Sequence, residues 1–307
     1  MMQPVYAYDP YNPGSNMVIA PQVVSAPAPV IPAGTIATNV GMPQFAGIQY
    51  VMVSDPMVEL ANCSCVVIRQ QPEYLEKIIG CETANRYHVF GINNGYYKYL
   101  FKCQERSDFC SRYCLPSNIR EFNMEIYHAV NAGLAGNLAS KFANMFKPCK
   151  CSCCCLNRPE IDVHLGTDNK YVGKIKHLFT CCDPEFNVYN AQGVLKYYVR
   201  ADCCQCGLLC ANNFFGKLST ANFEIYAPGT SNQIASISKM PAQSFGEMTT
   251  DADSYKVTFP AGSTAEEKLL LIALGLMIDY QYFETDDSDN NNRRGYRRGY
   301  GYGYGLY

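Results

Sequence analysis

Short runs in which apolar and polar residues alternate fill the middle of the chain, the period-two signature of strands with one buried face. The clearest are Ile161-Val163-Leu165, Phe223-Ile225 and Tyr255-Val257-Phe259. Two longer stretches read as hairpins. Residues 87–101 (YHVFGINNGYYKYLF) carry Asn94-Gly95 between aromatic and β-branched runs, and that dipeptide accepts the positive φ angles of a tight turn. Residues 186–199 place FNVYN and VLKYYV on either side of Ala191-Gln192-Gly193. Many short strands punctuated by Gly, Pro and Asn predict a mainly β fold, a barrel or sandwich rather than a parallel α/β sheet.

Helical patterns interrupt the strands. Residues 72–79 (PEYLEKII) open with Pro, carry acids early and stop at Gly80. In 128–146, Val130, Leu134, Leu138, Phe142 and Phe146 recur every four residues and predict a helix with one apolar stripe, weakened by Gly133 and Gly136. Such a stripe, with Lys141 and Lys147 near its end, fits either the headgroup layer of a bilayer or a core or loop insertion. The third pattern, 266–283, starts behind a capping box, Thr264 with Glu267. Its apolar run holds Leu269, Leu270, Leu271, Ile272, Leu274, Leu276, Met277 and Ile278 and stops at Asp279. Ten residues make about 15 Å of helix, half of a hydrocarbon core. Two readings follow: a helix buried inside the β fold, or a single-pass anchor with Asp279 seeding a water defect in the bilayer.

Composition changes this picture at the ends. Residues 1–47 contain one charged residue, Asp9, and repeated prolines, so they predict a disordered tail, serving as a spacer or as a docking site for Pro-recognising domains. Residues 286–307 turn Asn-rich and end RRGYRRGYGYGYGLY, a second tail too poor in apolar residues to fold. A single ordered domain is expected over 48–285. The net charge of -2 excludes a protein that coats nucleic acid through a global basic surface. The first residues, MMQPVYAYDP, show no basic and apolar signal pattern, so the 17 cysteines are expected in a reducing compartment and not in disulfides. No GxSxG, HExxH or P-loop is present, which argues against bond-breaking catalysis.

Four segments carry a family resemblance: VIRQQPEYLEKIIGCETANRYHV (67–89), CKCSCCC (149–155), TDADSYKVTFP (250–260) and LIALGLMIDYQYFET (271–285). In order and spacing they resemble the phospholipid scramblases from about residue 49 to 285. The resemblance implies a tubby-like fold, a closed antiparallel β-barrel around a central hydrophobic C-terminal helix. It also implies calcium-dependent, ATP-independent phospholipid movement at the cytoplasmic face of the plasma membrane or another membrane, with palmitate on the cysteine cluster. Two departures stand out. The 128–146 segment is longer than in familiar members, and 234–241, where members carry a basic import stretch, holds only Lys239.

The chemistry concentrates in two places. Cys149, Cys151, Cys153, Cys154 and Cys155 suit fatty acylation, with Lys147 and Lys150 drawing the segment to anionic headgroups. Zinc or plain thiols are the competing readings, since CxCxCCC does not splay easily around one ion. A second group, Cys203, Cys204, Cys206 and Cys210, reads as buried or surface thiols, with a weaker zinc reading that would draw on Cys181 and Cys182 or on Cys103, Cys110 and Cys114. Asp251 and Asp253 open 251–262, the segment matching the family's proposed calcium loop. With Lys256 and Gly262 at loop positions 6 and 12 it departs from an EF-hand, so weak calcium binding competes with a turn followed by an edge strand. Two functions are therefore carried forward: lipid scrambling, and a palmitoylated adaptor that binds headgroups or proteins without transport.

Overall fold

The structure, a computed structural model, describes residues 50–53, 55–71, 84–93, 96–107, 121–129, 141–149, 158–209, 219–241 and 254–283. All of them belong to the second of the two units into which the chain divides, between Val40 and Gly41. The strands are β1 (Tyr50–Met52), β2 (Cys65–Gln70), β3 (Arg86–Asn93), β4 (Tyr96–Arg106), β5 (Phe122–His128), β6 (Lys141–Lys147), β7 (Glu160–Leu165), β8 (Lys170–His177), β9 (Glu185–Asn190), β10 (Leu195–Arg200), β11 (Ala221–Tyr226), β12 (Gln233–Met240) and β13 (Ser254–Thr258). Helices α1 (Pro56–Asn62), α2 (Cys206–Leu209) and α3 (Ala265–Ile278) accompany them, and a π-helical turn, Asp279–Phe283, continues α3.

β2 to β13 pair antiparallel in sequence order, and β13 returns to β2, so twelve strands close into a barrel with no free edge. β1 stands outside this closure, pairing parallel to the first half of β4 while the second half of β4 pairs with β5. Alternation does what the sequence pattern predicts. In β7 the buried residues are Ile161 and Val163, in β9 Phe186 and Val188, and in β11 Ala221, Phe223 and Ile225. Both expected hairpins form, with Asn93 paired to Tyr96 and Tyr189 to Leu195. Gly193 closes the second at φ 75°, a value that costs a residue without a Cβ little.

The barrel is filled by its own C-terminal helix. Thr264 caps α3 by accepting from the Glu267 N–H while the Glu267 carboxylate accepts from the Thr264 N–H. Every residue from Lys268 to Tyr280 is buried, so α3 is apolar on all sides because wall surrounds it on all sides. Wall and helix approach closely at Gly275, where an added Cβ would stand 2.9 Å from the Ile68 side chain. Lys268, the one charged side chain in the buried stretch before Asp279, donates to the carbonyls of Leu60, Ala61 and Cys63, which satisfies the end of α1.

Two sequence expectations are corrected here. Residues 141–147, expected as the end of a helix over 128–146, form a strand paired with 122–128. A spacing of four puts residues on one face in a strand as well as in a helix, so Phe142 and Phe146 fitted both periods. Val130, Leu134 and Leu138 lie outside the described residues, as does the predicted helix 72–79. Residues 254–258 form an interior strand held by β12 on one side and β2 on the other, not an edge strand.

Candidate functional site: the cysteine-bearing rim

Antiparallel closure sorts the connections between two ends of the barrel. At one end lie the short links β3–β4, β7–β8 and β9–β10 together with the start of α3. At the other end emerge the connections 71–85, 107–121, 148–159, 178–184, 201–220 and 241–253, together with the C-terminal end of α3. The chemistry singled out in the sequence falls in this second set. The connections hold Cys81; Cys110 and Cys114; Cys149, Cys151, Cys153, Cys154 and Cys155; Cys181 and Cys182; Cys203, Cys204, Cys206 and Cys210; and Asp251 and Asp253. Only Cys63, Cys65 and Cys103 are elsewhere, and Cys63 and Cys103 are buried. Burial pushes the Cys103 thiol up to about 12, which makes it inert.

The described part of the rim is built around Asp183. Its carboxylate accepts from Arg200 Nε at 3.0 Å and from Arg200 Nη2, and also from the Cys203 N–H at 3.1 Å, so it ties the 178–184 connection to the turn after β10. The Arg200 guanidinium and the Cys203 N–H hold the Asp183 carboxyl below its ordinary range. Asp202 accepts from the Cys204 N–H at 2.8 Å, and Gln205 brackets Asn222 by donating to its carbonyl and accepting from its N–H. These fixed backbones present Cys181, Cys182, Cys204 and Cys206 to solvent. Two large apolar side chains accompany them, Phe179 at 58% and Leu209 at 68% exposure, far more than packing in the core allows.

The end of the central helix closes the barrel beneath this rim. Asp279 is 2% exposed and accepts from the hydroxyls of Tyr87 and Tyr255, each at 2.5 Å. Tyr280 stacks on Phe122 at 4.3 Å, and Lys239 stands 3.9 Å from the centre of the Phe283 ring. Tyr282 meets His177 Nε2 at 2.9 Å, and Arg158 Nη2 lies 3.0 Å from His177 Nδ1. Burial, and then the Arg158 charge, lower the His177 pKa to about 3, so the ring is neutral at physiological pH. All of these contacts except that of Arg158 with His177 join the end of the helix to the wall. Asp279→Leu is expected to strand the two hydroxyls and destabilise the barrel by about 2–4 kcal/mol, read as a lower urea midpoint at unchanged slope.

The predicted residues therefore divide. Leu269 to Ile278 and Asp279 lie inside the barrel, which settles the choice between the two helix readings. Asp279 faces tyrosine hydroxyls and not lipid, so it is not the seed of a bilayer defect. Among the described residues no helix is long and apolar enough to cross a membrane. Lys147 is 1% exposed with its ammonium 5.9 Å from the Phe122 ring centre, so it does not reach headgroups. Cys149, two residues on, is exposed. Cys151, Cys153, Cys154, Cys155, Lys150, Asp251 and Asp253 lie outside the described residues. Sequence reasoning missed Asp183, Arg200 and the tyrosines that hold Asp279. Tyr255 carried a signal, because it occupies an inward position of the alternating run Tyr255-Val257, whereas Tyr87 lies in the continuously buried run of β3.

A closed barrel plugged by its own C-terminal helix defines the tubby-like class of fold. Within that class the chain belongs to the scramblase family, whose model matches residues 45–285. It is 28% identical over 231 residues to mouse (Mus musculus) phospholipid scramblase 1, covering 73% of this chain and 62% of the relative. Against human (Homo sapiens) phospholipid scramblase 1 it is 28% identical over 235 residues, 75% of this chain and 66% of the relative. Human phospholipid scramblase family member 5 is 26% identical over 231 residues, 73% of this chain and 76% of the relative. The match thus spans less than two thirds of the scramblase 1 relatives. No solved structure matches the chain.

Proposed function

We propose that this protein is a calcium-dependent, ATP-independent phospholipid scramblase that acts on the bilayer through the cysteine-bearing rim and makes or breaks no covalent bond in the lipid. The observation that supports this reading is the sorting of the connections. The acylation candidates Cys149 to Cys155, the acidic pair Asp251 and Asp253, and the exposed Phe179 and Leu209 all belong to connections leaving one end of the barrel. Palmitate on two or more cysteines holds that end at the cytoplasmic face of a membrane, since a single chain binds only marginally. Loops, and not the central helix, then contact lipid. A headgroup crossing hydrocarbon leaves polar groups unpaired at several kcal/mol each, so the rim lowers that barrier by thinning or disordering the leaflet it is anchored in. Weakly bound calcium at Asp251 and Asp253 neutralises two carboxylates facing anionic headgroups and draws the rim closer. The Pro-rich residues 1–47 are left to bind Pro-recognising domains.

A second reading is favoured by one feature of the helix. Asp279 is enclosed by tyrosine hydroxyls and α3 fills the barrel, which gives the interior no polar path for a lipid. On that reading the protein is a palmitoylated adaptor that binds headgroups or proteins. The deciding experiment reconstitutes acylated full chain into vesicles with a fluorescent phospholipid and follows access of an external quencher to the inner leaflet. Scrambling is expected, accelerated by calcium, and Asp251→Asn with Asp253→Asn is expected to remove the calcium response and its binding heat while leaving the basal rate. No scrambling from folded, acylated protein establishes the adaptor.

A further inference from the structure

The turn that follows β10 carries a feature that acylation does not require. Asp202, Cys203 and Cys204 bring a carboxylate oxygen and two sulfurs within 4.8 Å of one another. The two sulfurs are 3.9 Å apart, too far for a disulfide and close to the edge of a zinc–thiolate tetrahedron, about 3.8 Å for bonds of about 2.3 Å. We infer that Asp202, Cys203 and Cys204 form a binding site for a thiophilic divalent cation of the zinc class.

The backbone that carries the trio is held from outside it. Asp183 accepts the Cys203 N–H, and Gln205 fastens the end of the turn to Asn222 in β11. Little backbone ordering is therefore left for the metal to impose, which raises affinity. Two sulfurs and one oxygen select zinc over calcium or magnesium, because hard cations need oxygen ligands. Cys206 stands outside the trio, its sulfur accepting from Ser219 Oγ at 3.5 Å, so among the described residues no fourth protein ligand joins the three. Coordination takes the protons of both thiols and releases them to solvent, leaving the sulfurs as thiolates bonded to the ion with no oxidation. A loaded trio has two consequences. It withdraws Cys203 and Cys204 from acylation, and it stiffens the turn that Asp183 links to Cys181 and Cys182.

The test uses the full chain made in bacteria, without acyl groups and kept under a phosphine reductant, with Cys149, Cys151, Cys153, Cys154 and Cys155 all changed to Ser. That background removes the other cysteine cluster as a source of metal. After dialysis against zinc and then metal-free buffer, elemental analysis is expected to find one zinc per chain. Cobalt in its place should give the visible bands of a tetrahedral site and thiolate charge-transfer absorption. Cys203→Ser with Cys204→Ser should lose both signals while the melting curve of the apoprotein stays in place, since these side chains make no core contact. Losing even an outer-sphere partner costs about 10–100-fold in metal affinity, so Asp202→Asn is expected to weaken binding at least about tenfold. Absence of retained zinc in the five-Ser background, or equal retention in the Cys203→Ser, Cys204→Ser protein, overturns the site. Neither outcome bears on scrambling, which the vesicle assay reads separately.

Discussion

Leu274→Gln is expected to unfold the barrel at physiological temperature. Leu274 sits midway along α3 at 0% exposure, with wall on every side. Truncating such a leucine removes about 2–5 kcal/mol. Gln adds a buried amide with no partner, a further cost of about 1–3 kcal/mol. The sum, about 3–8 kcal/mol, reaches the lower part of the range of stability of a typical domain, about 5–15 kcal/mol. Leu274→Met, which nearly conserves volume, should cost less than about 1.5 kcal/mol and separates packing from polarity. Urea unfolding of the detergent-free protein measures both. A helix that worked in lipid would leave the barrel indifferent to Gln at this position, and a stable Leu274→Gln barrel would therefore remove α3 from the core.

The same helix shows where sequence was informative. Thr264 and Glu267 announced its start, and the run from Leu269 to Ile278 announced that no face of it meets water. Whether lipid or protein surrounds such a helix is not encoded in its own composition, since both are apolar; it is decided by closure of β13 onto β2. The strands were legible wherever alternation had a solvated outer face, as in β7, β9 and β11. β2 and β3 have buried runs with no alternation, because their outer faces are covered too. The error over 128–146 has a different origin, a spacing of four that helix and strand share. At the rim, residue types were legible and partners were not. Asp183 is an unremarkable acid in sequence, and its pairing with Arg200 and the Cys203 N–H depends on two connections that only the barrel brings together.

Changing Cys149, Cys151, Cys153, Cys154 and Cys155 together to Ser is expected to move the protein from membranes to the soluble fraction. The argument begins at the end of β6. Lys147 is buried against Phe122, so the strand is still inside the barrel wall there, and by Cys149 the chain is exposed. The cluster thus starts where the polypeptide leaves the barrel, with no length of chain in which to retreat from a surface against which the rim lies. One acyl chain holds a protein to a bilayer only marginally, at about 10⁴ M⁻¹. A second chain on the same tether acts at high effective concentration and adds about 10²–10⁴-fold. Loss of all five thiols should therefore lower membrane partition by at least about a hundredfold, and hydroxylamine-sensitive acyl label should fall with it. Restoring Cys149 alone should return part of the label but little of the retention, because one chain lacks the avidity of two. Because the substitutions lie beyond the buried end of β6, the urea midpoint should not move, so release cannot be ascribed to unfolding. Full retention of a five-Ser protein that carries no acyl label would place the anchor elsewhere on the chain, and the apolar pair Phe179 and Leu209 on the same rim would be the next residues to change.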